Sequence, residues 1–165
     1  MPISPDPPRP PLQDEVSEEI GKQLQLTLVE LIALSLAGKQ LHWSIYGREF
    51  LAVHRHLDQL VDQWRELEDL VAERAAAIGL APDGSAAAVI ELCDLRPLEP
   101  GFSEAESAVE HLHAQLSAVA ARVRRRSRVV GALDVVSHDV LVDVVRRIEE
   151  QVWTMRAQLP DELSG

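Results

Sequence analysis

Cysteine and lysine are scarce in these 165 residues, and proline is missing from most of them. The single cysteine, Cys93, rules out an intrachain disulfide framework and fits a reducing compartment. Lysine occurs only as Lys22 and Lys39; the other basic side chains are arginines, and 16 of them in all face 27 carboxylates, a formal net charge of −11. Bulk charge of this sign draws neither nucleic acid nor anionic membrane, and it attracts cations. The opening MPISPDPPRPP has no apolar core of a secretory signal, and no apolar run comes near the roughly 20 residues of a membrane-spanning helix. No stretch alternates polar and apolar residues as a half-buried strand does. The expectation is a soluble cytoplasmic protein with no membrane partner, nucleoid-associated only if it met DNA.

What is present is a globular composition, 46% hydrophobic, of a length that suits one domain. Residues 1–12 are proline-rich and read as a flexible tail, 13–160 as a helical bundle, and 161–165 as a short acidic end. No proline interrupts the chain between the tail and Pro82. Within that window Val16, Ile20, Leu24, Leu28, Leu31 and Leu34 recur at helical steps, which predicts a helix over 13–44. Gly47 supplies a bend. Phe50, Val53, Leu57, Leu60, Trp64, Leu67 and Val71 then predict a second helix over 48–79, closed by Gly79.

Residues 80–102 form a long connection with one short helix near Ala86 to Cys93. Ser103 and Glu106 have the spacing of a capping box opening a third helix, with Val109, Leu112, Leu116, Val119 and Val123 as its core line. Gly131 marks a turn and Ser137 is a suitable cap for a fourth helix, which ends before Pro160 and buries Val140 or Leu141, Val144, Ile148, Val152 and Met155. Two long helical hairpins joined by a long crossover give an all-α fold, a four-helix bundle of ferritin-like connectivity with a short extra helix in the crossover.

The second helix carries another line: His54, Asp58, Asp62, Glu66, Asp69 and Glu73. Steps of four and three keep these groups on one face, centred more than about 100° from the apolar face. They therefore avoid the core of their own bundle, and a metal bound by them must lie at a subunit interface or on a cavity wall. An acidic stripe opposite a core is ordinarily a solvated surface, and His54 with Asp58 is also a common surface pair. Asp69 and Glu73, like charges one turn apart, repel unless a cation joins them. His42 continues the apolar line of the first helix, where a lone histidine is ordinarily an interior residue. Mixed imidazole and carboxylate donors suit iron, although zinc and manganese accept the same set.

The run LHWSIYGREFLAVHRHLDQLVDQWRELEDLVAERAAAIG resembles the ferroxidase signature of the Dps family, the ferritin-like mini-cages. The signature elements are His42-Trp43, Gly47, Phe50, His54 with Asp58, and Asp69 with Glu73, with ligand separations of 12, 4, 11 and 4. EEQVWTMRAQL, around Glu149, Trp153 and Arg156, is similar to the closing helix of that family. The resemblance implies that His42, His54 and Asp58 of one subunit face Asp69 and Glu73 of another. Such a catalytic centre would hold iron as a di-iron or partly occupied site, with Trp43 beside it to intercept radicals or to pack at the contact.

It further implies a hollow dodecamer that oxidises Fe²⁺ with hydrogen peroxide or oxygen and stores a ferric mineral. Asp62 and Glu66 would be nucleation residues, and Asp134, Asp139 and Asp143 acidic linings of the three-fold pores. Asp139 equally suits a helix N-terminus. DNA binding, common in that family through lysine-rich tails, is doubtful here: the N-terminal tail offers only Arg9 and the C-terminal PDELSG is acidic. The one basic cluster, Arg122, Arg124, Arg125, Arg126 and Arg128, sits at the end of the third helix, where cations complement the helix dipole.

Overall fold

Apolar residues three and four apart give each long segment a single face to bury, and four such faces meet in the computed structural model, which describes residues 12–159. The helices are α1 (Asp14–Ser44), α2 (Phe50–Ala77), the short α3 (Ala86–Leu92), α4 (Ala105–Gly131) and α5 (Val135–Arg156). α1 packs along α2 and α4 along α5, and the two hairpins close on each other through α1 with α4 and α2 with α5. Ile20, Leu24, Leu31, Leu34, Leu57, Leu60, Leu67, Leu112, Leu116 and Leu141 are fully enclosed between them. This is an all-α, ferritin-like bundle, with α3 in the crossover as expected. Leu12, assigned to the tail from sequence, packs against this core. The rest of the proline-rich tail and the acidic end from Asp161 lie outside the described residues.

Close approach of α1 and α2 depends on Gly38, where a Cβ would meet Trp64 and Val61 at 2.7 Å each. α2 ends in a left-handed glycine: Gly79 has φ +89, its N–H bonds Ala76 O at 3.0 Å, and Leu80 N–H bonds Ala75 O at 3.0 Å. These crossed bonds satisfy the last carbonyls of the helix.

Three local expectations are corrected. A two-residue parallel ladder, β1 (Ile45–Tyr46) with β2 (Ser103–Glu104), ties the exit of α1 to the entrance of α4. Two residues are too few for an alternating pattern to be legible. Ser103 is extended in that ladder, so it does not cap: Glu104 is the N-cap of α4 and makes no side-chain cap bond. The cap of α5 is Asp134, whose carboxylate accepts from Ser137 N–H at 2.7 Å, while Ser137 is enclosed and its Oγ accepts from Arg74 Nε at 2.8 Å.

One composition reading also changes. α1 is long and apolar enough to cross a membrane by length and composition, and half of its most apolar window is buried inside the bundle. Its apolar residues are those of a core helix.

Candidate metal centre

His42 stands in the last turn of α1 and His54 in the first turns of α2, so the α1–α2 hairpin bends one histidine back onto the other. Their rings stack with centroids 3.6 Å apart and planes 20° from parallel, and Phe50 lies against His54 at 5.0 Å. Each Nδ1 is 2.9 Å from the other residue's backbone carbonyl oxygen. A carbonyl only accepts, so each Nδ1 carries the hydrogen and donates it. In a neutral ring so held, Nε2 keeps its lone pair, the form in which imidazole binds a metal.

Asp58 is one turn beyond His54. Its Oδ1 is 3.3 Å from His42 Nδ1 and accepts a hydrogen bond from Lys39 Nζ at 2.6 Å. The lysine bond above all, with the neighbouring imidazoles, holds the Asp58 carboxyl below the usual carboxylate range. Lys39 is a member of this group that sequence reasoning missed. The available signal was its spacing, one turn before His42 on the same side of α1.

Asp69 and Glu73 are both exposed on α2. Eleven residues separate Asp58 from Asp69, which at about 1.5 Å per residue is roughly 16 Å along the same helix face. The structure thus brings His42, His54 and Asp58 together and leaves Asp69 and Glu73 apart from them. Among the described residues no group of three or more His, Cys, Asp or Glu side chains is close enough to hold a metal ion. The candidate donors of one chain thus fall into two separated groups.

The surface beside the histidines is apolar. Trp43 is 70% exposed, and with Leu36 and Ile90 it borders a groove of about 560 Å³ between α1, α3 and the crossover. Asp62 is exposed, whereas Glu66 accepts from Arg147 Nη1 at 3.1 Å. The three aspartates compared with pore residues are differently placed. Asp134 is enclosed: burial opposes its charge, but bonds from Ser137 and the Arg74 guanidinium at 2.9 Å keep its carboxyl below the ordinary value. Asp143 pairs with Arg146 and Arg147, and Asp139 is exposed.

The arginine cluster is largely spent within the bundle. Arg122 and Arg126 both grip Glu30, which is 1% exposed, and Arg124 holds Glu149 through Nη2 at 2.6 Å. Arg125 and Arg128 are exposed.

The ferritin-like domain family matches residues 21–162. Among curated relatives, the fine tangled pili major subunit of Haemophilus ducreyi is 34% identical over 85% of this chain and 74% of that protein. The DNA protection during starvation protein of Mycolicibacterium smegmatis is 31% identical over 91% of this chain and 82% of its own length. DNA protection during starvation protein 2 of Deinococcus radiodurans is 32% identical over 82% of this chain, which spans 56% of that longer relative. Of solved structures, a Mycobacterium smegmatis Dps superposes with TM-score 0.86 at 28% identity, covering 90% of each chain. A Streptomyces coelicolor Dps does so with TM-score 0.87 at 29% identity, over 93% of this chain and 92% of that one. Helix order, crossover and sequence match together define a ferritin-like protein. Within that class, the chain belongs to the Dps family.

Proposed function

We propose that this chain is the subunit of a ferroxidase and iron store. It binds Fe²⁺ at centres shared between two chains, oxidises it with hydrogen peroxide or oxygen, and keeps the ferric product as mineral inside a hollow dodecamer, limiting oxidative damage. The observation that carries this reading is the pair of stacked imidazoles, each with Nδ1 engaged and Nε2 left free, beside Asp58. His42, His54 and Asp58 form one half-set; Asp69 and Glu73, on the same face but roughly 16 Å away, form the other half-set for a neighbouring chain. Hard carboxylate oxygens favour the ferric product over the ferrous substrate.

With peroxide the balance is simple. Two Fe²⁺ each give one electron, the O–O bond breaks, and two protons complete two waters, so no hydroxyl radical is released. Trp43, exposed beside the histidines, is placed to meet stray radicals or to pack against the second chain. Asp62, exposed on the same stripe, is the better nucleation residue, since Glu66 is engaged by Arg147. Asp139 is the freer pore carboxylate, since Asp134 and Asp143 are paired.

The relatives named for DNA protection raise nucleoid compaction as an alternative main role. Three of the five clustered arginines are held by carboxylates, which removes most of the charge that role needs. The deciding experiment follows iron oxidation by peroxide optically in the wild type and in His54→Ala with Asp58→Ala. The double variant should lose most of the initial rate, and equal rates would remove the site assignment.

A further inference from the structure

Two guanidiniums share one carboxylate inside the bundle. Glu30, 1% exposed, takes Arg126 Nη1 at 2.6 Å and also Arg122 Nε, which leaves one positive charge over in an enclosed place. Arg122 Nη2 is buried and has no hydrogen-bond partner among the described residues. A guanidinium does not give up its proton, so a charge of this kind is relieved only by an anion nearby. Arg122 also borders a hollow of about 350 Å³ between α4 and the crossover, and Asp94, Arg96, His111 and Gln115 stand around it.

This lining is held in place. Buried Gln115 donates from Nε2 to the Arg96 carbonyl oxygen at 2.7 Å, tying the crossover to α4 at a residue whose side chain lines the hollow. The same Nε2 is 3.0 Å from His111 Nε2 and has a second hydrogen to give it. Burial first, and then the Arg96 charge, hold His111 below the ordinary imidazole pKa, so the ring is neutral and keeps its own hydrogen on Nδ1. Two guanidiniums and a ring N–H therefore face one carboxylate across the hollow. A chain of net charge −11 repels anions in general, so an anion held here is held by these groups.

The carboxylate selects among anions. Asp94 only accepts, so it repels an oxyanion without a hydrogen, such as sulfate. Hydrogen phosphate brings an O–H for Asp94 while its remaining oxygens turn to the arginines. We infer that the hollow is a binding site for hydrogen phosphate: Arg96 and Arg122 meet its charged oxygens, His111 donates to it, and Asp94 accepts its hydrogen. Bound phosphate bridges the crossover to α4 and balances the charge left over beside Glu30. None of these residues belongs to the metal centre, so the site stands or falls apart from it.

Inorganic phosphate is the probe, titrated calorimetrically at low ionic strength into the assembled protein freed of iron. The wild type should be half-saturated at about 1 mM or below, with one phosphate per chain. Sulfate should bind about tenfold more weakly, as should dimethyl phosphate, which has the single charge of a nucleic-acid backbone and no hydrogen to give. Arg96→Ala should lose about tenfold in phosphate affinity. Arg96→Gln is a second uncharged variant should the alanine assemble poorly. Arg125→Ala, an exposed arginine of the same basic run, should change nothing. Asp94→Asn should narrow the preference for phosphate over sulfate. No saturable heat below about 10 mM phosphate overturns the site. Equal losses in Arg96→Ala and Arg125→Ala overturn it as well, since they mean diffuse attraction to basic surface. Sulfate or dimethyl phosphate binding as tightly as phosphate in the wild type refutes hydrogen phosphate as the ligand.

Discussion

Trp64 is wholly enclosed, yet its indole carries a donor that must be satisfied. The partner is Gln151 across the bundle, whose Oε1 accepts at 2.8 Å and whose Nε2 passes on to Gln63 Oε1 at 2.7 Å. This short polar ladder runs from the enclosed indole to the exposed Gln63 and links α5 to α2, on which His54 and Asp58 ride. Gln151→Leu keeps the volume and leaves the indole N–H buried without a partner, which should cost about 1–3 kcal/mol. The check is the denaturant midpoint, and adding Trp64→Phe should recover part of the loss because the orphaned donor is gone. An unchanged midpoint in Gln151→Leu would show that the ladder does not hold the helix.

Among elements, the start of α5 shows how local chemistry and long-range contact combine. Asp134 caps the helix and also receives Arg74 from the end of α2, so one carboxylate joins two helices. Its carboxyl is held below its ordinary value of 3.8. A carboxyl whose folded value is depressed contributes stability above its unfolded value, and that contribution is lost as pH falls through the folded value. The Asp134 contribution should therefore be complete at neutral pH, begin to fade below about pH 4, and vanish in stronger acid. Asp134→Ala should lower stability by about 1–2 kcal/mol at pH 7. Thermal unfolding from pH 7 to pH 2 checks this: the gap between wild type and variant should close with acid, and a gap that stays constant would refute the linkage.

The same element explains what was legible in advance. The core lines of α1, α2, α4 and α5 were readable because a helix face repeats many times over 22 to 31 residues. Ser137 was misread because Asp134 and Ser137 both suit a cap, and only the position of Arg74 across the bundle decides between them. Ser103 failed for a similar reason, since its pairing with Ile45 is a contact between distant parts of the chain. The gathering of His42, His54 and Asp58 was legible through spacing and family resemblance, while Lys39 was only hinted at by its spacing to His42, because an ion pair between α1 and α2 depends on how the two helices face each other. The buried grip of Arg122 and Arg126 on Glu30 was hidden likewise in what reads as a basic surface run.

At the scale of the whole molecule the division of the donors has a consequence that single-chain chemistry lacks. On the shared-centre proposal, each centre of a two-fold dimer would take His42, His54 and Asp58 from one chain and Asp69 and Glu73 from the other. Chains with His54→Ala and Asp58→Ala should be inactive alone, as should chains with Asp69→Ala and Glu73→Ala. Pairing the two gives one centre with both halves destroyed and one with both halves intact. If the mixed chains are unfolded and reassembled together in equal amounts, about half of the dimers are mixed and each has one working centre of two, so about a quarter of the wild-type rate should return. A centre completed within one chain predicts no recovery at any mixing ratio. The measurement is peroxide-driven iron oxidation after co-assembly, with sizing chromatography to establish that both inactive parents and the mixture reach the same assembled state.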